Sequence, residues 1–114
     1  MTDNKYFNFA KHEGYGVITL RDLDYAGAKI FEESVDEISG KGEGHIIVNC
    51  ESISELPKDW IRGLLRLQLN LKKETKLLKL IHVNYTLMNC LKKEGIDTSF
   101  RFGKDLQDAL SELG

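Results

Sequence analysis

The chain has 114 residues, a net charge of -2, one proline and two cysteines, with 41% apolar and 30% charged residues. This is the composition of a single folded domain, residues 1–114, and the chain is long enough to build a core without a metal or disulfide staple. A near-neutral charge gives no broad electrostatic footprint for nucleic acid, so no direct nucleic-acid partner is expected.

No segment has the length of a transmembrane helix, and Met1–Lys5 lacks the apolar run of a signal peptide. Cys50 and Cys90 lie far apart in sequence, as is usual in a reducing compartment. The expectation is a cytoplasmic protein without membrane insertion.

Tyr6–Phe9 and Gly16–Leu20 read as two strands of a hairpin, with the turn in Lys11-His12-Glu13-Gly14. Asp24 is a helix N-cap, followed by Ile30, Phe31, Val35 and Ile38 at helical spacing. Ser39-Gly40 ends that helix, and Gly40–Gly44 is a surface loop. This loop lacks the Gly-Lys-Ser/Thr ending of a phosphate cradle. His45–Cys50 is a near-continuous apolar run, expected as a central strand covered on both faces.

Pro57 suits the first turn of a helix that runs to about Glu74. Trp60, Ile61, Leu64, Leu65, Leu67, Leu69 and Leu71 give this helix a wide apolar arc, in which Gln68 needs a hydrogen-bond partner if buried. Lys76–Ile81 is a further strand. A third helix spans Val83–Lys93, with Val83, Leu87, Cys90 and Leu91 inward, and Gly95 stops it. Thr98–Phe102 reads as a last edge strand, and Leu106, Ala109, Leu110 and Leu113 form one side of a final helix. The order β-β-α-β-α-β-α-β-α predicts an α/β fold with a mixed sheet and about four helices.

No catalytic constellation stands out. His12 falls in a turn, whereas His45 and His82 sit at strand ends, where ligands often gather. Cys50 and Cys90 read as small core hydrophobes, without an identifiable activating base. No spacing suits zinc. No catalytic residue, metal or cofactor is expected.

The informative segment is Glu55-Leu56-Pro57-Lys58-Asp59-Trp60, at a strand-to-helix junction. Free N–H groups at a helix start favour an anion or a partner's carboxylate. Trp60 is an aromatic anchor for a partner or, equally, a plug at the domain edge. Either neighbouring helices cover the whole arc, or Arg62 and Arg66 rim surplus apolar surface at Leu67, Leu69 and Leu71, beside Tyr85 and Met88 of the third helix. The expected partner-binding residues are therefore Pro57, Lys58, Asp59, Trp60, Arg62, Arg66 and Leu67.

Several segments in this order resemble the STAS domain family of bacterial anti-sigma factor antagonists and sulfate-transporter cytoplasmic domains. They are Tyr15–Leu20 leading into Asp22-Leu23-Asp24-Tyr25-Ala26-Gly27, His45–Cys50, Gly63-Leu64-Leu65, Lys76–Ile81, Leu91–Asp97, Phe100 and Asp105–Leu110. The resemblance implies a non-catalytic regulatory module in signal transduction and transcription regulation. Its partner would be an anti-sigma factor or a related regulatory kinase. Rival roles are a homo-oligomeric or multi-protein signalling assembly, and a soluble partner of a membrane transport system.

The family carries an aspartate-serine-serine-glycine switch at the start of its second helix, and the first serine is phosphorylated. Counting from Asn49 sets Pro57, Lys58, Asp59 and Trp60 on those four positions. Lysine neither accepts that phosphate nor imitates its charge of about -1.5 to -2.

Overall fold

A computed structural model describes residues 2–40 and 44–113. Strands β1 (Thr2–Asp3), β2 (Phe7–His12) and β3 (Tyr15–Leu20) precede helix α1 (Tyr25–Ser39). Then come β4 (His45–Asn49), α2 (Lys58–Lys73), β5 (Leu78–Ile81) and α3 (Tyr85–Lys93). A single 3-10 turn (Asp97–Ser99), β6 (Arg101–Gly103) and α4 (Leu106–Leu113) complete the described chain.

The six strands form one sheet in chain order, β1 to β6. The first two pairings are antiparallel, and the pairings from β3 to β6 are parallel. The expected α/β class and alternation are present, with β1 as an added edge strand. Among the described residues, no helix is long and apolar enough to cross a membrane.

Local chemistry explains the boundaries. Gly14 adopts φ +85 in the hairpin connection, a conformation that a side chain would oppose. The hairpin register pairs His12 with Tyr15, so β2 continues through Lys11 and His12, which were expected in the turn. Asp24 caps α1 by accepting from the Gly27 N–H at 2.9 Å. Lys41, Gly42 and Glu43 of the expected surface loop lie outside the described residues. Gly95, at φ +72, follows the end of α3 as expected. The expected last strand is displaced: residues 97–99 wind into the 3-10 turn, and β6 begins at Arg101.

Two cores of unequal size flank the sheet. On one side Ile46, Val48, Leu78 and Leu80 meet Phe31, Val35, Leu64, Leu67, Leu87 and Leu91 from α1, α2 and α3. On the other, Ile47, Ile81 and Ala109 form a small buried cluster, flanked by half-buried Tyr15, Val17, Leu106 and Leu110. Both faces of β4 are therefore covered, as its apolar run predicts. Within α1, Ile30 is turned outward, contrary to its expected place in the core stripe.

Helices α1 and α2 lie close together. A Cβ on Gly63 would stand 2.8 Å from the Phe31 ring, which itself packs between Phe7 and Trp60. Polar groups close the outer seam: Asn70 donates to Asp36 at 3.0 Å and to the Ser39 hydroxyl at 3.2 Å, and Arg66 donates to Asp36 at 3.3 Å. Gln68 finds its required partner in the Ser99 carbonyl, at 2.7 Å.

Two outcomes follow from this packing. Gly63→Ala gains roughly 1 kcal/mol of helix propensity but drives a methyl into a clamped ring, at a cost of about 1–3 kcal/mol. The net effect is destabilisation, read as a lower urea midpoint with unchanged slope.

The second concerns His45, whose Nδ1 accepts from the Leu77 N–H at 3.0 Å. Burial, and then the charge of Lys76, hold the imidazole below its ordinary pKa. The unfolded chain therefore takes up the proton first as the pH falls. The His45 contribution is complete above about pH 6.5 and is lost as the pH drops through the lowered folded value. Replacing His45 with Gln should flatten the stability profile as the pH falls below about 6.5, measured by denaturant unfolding.

Candidate functional site

The strand-to-helix junction expected to carry function is built from a pinned loop. Asn49 at the end of β4 accepts from the Glu51 N–H at 3.0 Å, turning the chain away from the sheet. The Cys50 N–H donates to the Ile81 carbonyl, and the Ile53 N–H to the Cys50 carbonyl. Ile53 and Leu56 are buried beneath the loop. Asn84, which caps α3, also donates to the Ile53 carbonyl at 2.9 Å. Two buried side chains and one cross-link thus fix the backbone, leaving Glu55, Pro57 and Lys58 exposed.

Pro57 immediately precedes α2, at φ -61, and its carbonyl accepts from the N–H groups of Trp60 and Ile61 at 3.0 Å. Proline's fixed φ suits this entry. No side chain caps the helix. Asp59 engages Arg62 one turn later and holds that guanidinium above its ordinary pKa. Arg66 is tied to Asp36.

Trp60 and Leu67 do not belong to the surface. Both are 0% exposed. The indole stacks on Phe31 at 5.3 Å between centroids, meets Phe7 edge-on at 6.4 Å, and donates its N–H to the Asp24 carbonyl at 2.9 Å. Gly27 makes room for it: a Cβ there would come within 2.9 Å of the indole and 2.5 Å of the Tyr6 ring. Trp60 is an internal plug, and the expectation that it anchors a partner is corrected. Leu67 and Leu71 point into the three-helix core, so only Leu69, 56% exposed, extends the arc into solvent.

The structure adds a wall that the sequence reading missed. A cleft of about 320 Å³ opens between the loop after β3 and the loop after β4. Arg21, Asp22, Leu23 and Asp24 form one side, and Ile53, Glu55 and Pro57 the other. Arg21 is held by Asp3 at 2.7 Å and by the Asn4 carbonyl at 2.9 Å. The cleft floor is apolar at Leu23 and Ile53, and its rim carries three carboxylates. A signal for this wall was present, because loops following parallel strands converge at one end of a sheet.

The histidines are not brought together into a constellation. His12 stacks on Tyr15 at 4.9 Å, and His45 begins β4, at the end of the parallel strands opposite the cleft. His82 is exposed just beyond β5, at φ +57. Among the described residues, no three His, Cys, Asp or Glu side chains gather as a metal site.

Cys50 is buried, and that burial pushes its thiol up to about 12. Cys90 is half-buried, with its Sγ 4.0 Å from the Leu56 carbonyl. At about pH 8 a thiol reagent should label Cys90 first and leave Cys50 unlabelled until the domain unfolds. Mass spectrometry of the native and denatured protein checks the order.

No family model and no curated protein matches the sequence. Solved structures do match its fold. One is a putative anti-sigma factor antagonist from Thermotoga maritima, at 15% identity and a TM-score of 0.78, covering 94% of this chain and 93% of that one. The unphosphorylated anti-sigma factor antagonist SpoIIAA matches at 15% identity and 0.73, over 93% and 94%. A chain of the stressosome, described as a signal integration and transduction hub, matches at 16% identity and 0.73, over 93% and 95%. Three strands in antiparallel pairings leading into parallel βα units, with three helices on one side of the sheet and one on the other, are thus a fold this chain shares with anti-sigma factor antagonists, among them a STAS domain protein from Planctomyces limnophilus.

Proposed function

We propose that this chain is a non-catalytic regulatory adaptor that binds another protein through the cleft end of its sheet. The cleft between the β3–α1 and β4–α2 loops carries the reading. Both walls are braced from within, one by the Trp60–Asp24 hydrogen bond and the other by Asn84. Braced loops with exposed polar tips suit binding, because little order is lost on association. The partner-facing residues are Pro57, Lys58 and Glu55, with Asp22 across the cleft; Asp59 and Arg62 continue that surface along the first turn of α2, whereas Arg66 is engaged with Asp36 in the α1–α2 seam.

Support for a regulatory role comes from the fold shared with SpoIIAA and the Thermotoga maritima protein, which are described as anti-sigma factor antagonists. An anti-sigma factor or related regulatory kinase is the partner class. By the count from Asn49, Lys58 occupies the phosphoacceptor position, so docking is not switched by phosphate there. A rival reading is homotypic assembly through Leu69 and Tyr85, which are 56% and 82% exposed. The stressosome likeness favours it.

A photo-crosslinker at residue 58 identifies the partner, and calorimetry with the purified pair measures affinity. Lys58→Glu should weaken binding by about tenfold or more, whereas Lys72→Glu at the far end of α2 should leave it unchanged. Equal effects of the two substitutions reject the cleft end as the binding surface. Self-association abolished by Leu69→Lys would favour the homotypic reading.

A further inference from the structure

The sheet face opposite α1, α2 and α3 holds a buried cation. Lys79 lies in β5 between Leu78 and Leu80 and is only 3% exposed. Its register partners are Ile47 on β4 and Arg101 on β6. By strand alternation it shares a face with Ile81, part of the small cluster that α4 covers. Its ammonium pairs with Glu112 of α4, a side chain still 54% exposed. A lysine held out of water needs an anion, and removing the partner of such a pair leaves an uncompensated charge.

The rest of the α4 seat is slight. Among the described side chains of α4, Ala109 alone is fully buried, while Leu106 and Leu110 are half-buried at the edge of the cluster. Gly103 allows the close approach: a Cβ there would stand 3.1 Å from the Ala109 Cβ. The helix carries its own start. Asp105 accepts from the Asp108 N–H at 2.9 Å, and Asp108 accepts from the Lys104 N–H at 2.8 Å. Lys104 and Asp105 alone link α4 to β6. A helix this short is not stable in isolation and depends on what holds it to the sheet.

We infer that α4 is a releasable strap, seated by the Lys79–Glu112 ion pair, that opens as a unit while the three-helix side stays folded. Opening uncovers Lys79, Ile47 and Ile81 together. The cleft lies elsewhere, so the strap does not depend on the proposed partner surface.

Hydrogen exchange of the full chain, read by NMR, tests this in three proteins: the parent, Glu112→Gln, and Glu112→Gln with Lys79→Met. Charge-assisted hydrogen bonds contribute enough that Glu112→Gln should speed exchange of the amides from Ala109 to Glu112 by roughly 10- to 100-fold. Amides of β3, β4 and α2 should keep their parental rates. The added Lys79→Met removes the stranded cation and should slow α4 exchange back towards the parent. Unchanged α4 rates in Glu112→Gln would overturn the inference. So would equal acceleration of every protected amide, or no rescue in the double variant.

Discussion

The hydrogen bond from the Trp60 indole to the Asp24 carbonyl joins the starts of the two helices that flank the cleft. Asp24 is also the N-cap of α1, so one residue terminates the β3 loop, starts a helix and receives the tryptophan. The indole fills the space between Phe7 and Phe31, and Gly27 and Gly63 exist as gaps around that aromatic group. A polar atom on a fully buried ring must find an acceptor. Here that requirement fixes the distance between two loops whose exposed tips do the proposed binding.

Much of the architecture is legible in the sequence because its signals are local. Asp24, Gly40, Pro57 and Gly95 mark helix ends by chemistry that acts within one turn. The apolar run of His45–Asn49 announces a doubly covered strand. Trp60 is harder, because an aromatic residue at a helix start looks the same whether it faces a partner or a core. Only the glycine at position 27, far away in sequence, decides between them. The sequence leaves open how much of the leucine arc of α2 is covered, because the breadth of its cover by α1 and α3 is a tertiary fact. The 3-10 turn at Asp97–Ser99 similarly replaces strand where Gln68 reaches the Ser99 carbonyl.

The cleft and the buried lysine were missed for related reasons. Asp22 and Glu55 belong to loops that approach only through parallel pairing of β3 with β4. Lys79 interrupts the apolar run Leu77–Ile81, a signal that passes as ordinary alternation in a strand with one wet face. Its partner lies in the last helix, and nothing near Lys79 in sequence announces Glu112. The count from Asn49 to Lys58 concerns a role rather than a geometry; the structure adds that Lys58 is exposed beside the cleft.

Spatial order along the sheet equals order along the chain. Each new strand therefore meets an edge already laid down by its predecessor, and no strand must be inserted between two others. A polypeptide emerging from its N-terminus can extend the sheet one βα unit at a time. In that sequence of events the hairpin comes first and the α4 cover comes last. The lysine at position 79 then spends the interval before α4 arrives in contact with water. An uncovered face that holds a charge beside Ile47 and Ile81 is less apolar than one built of those side chains alone.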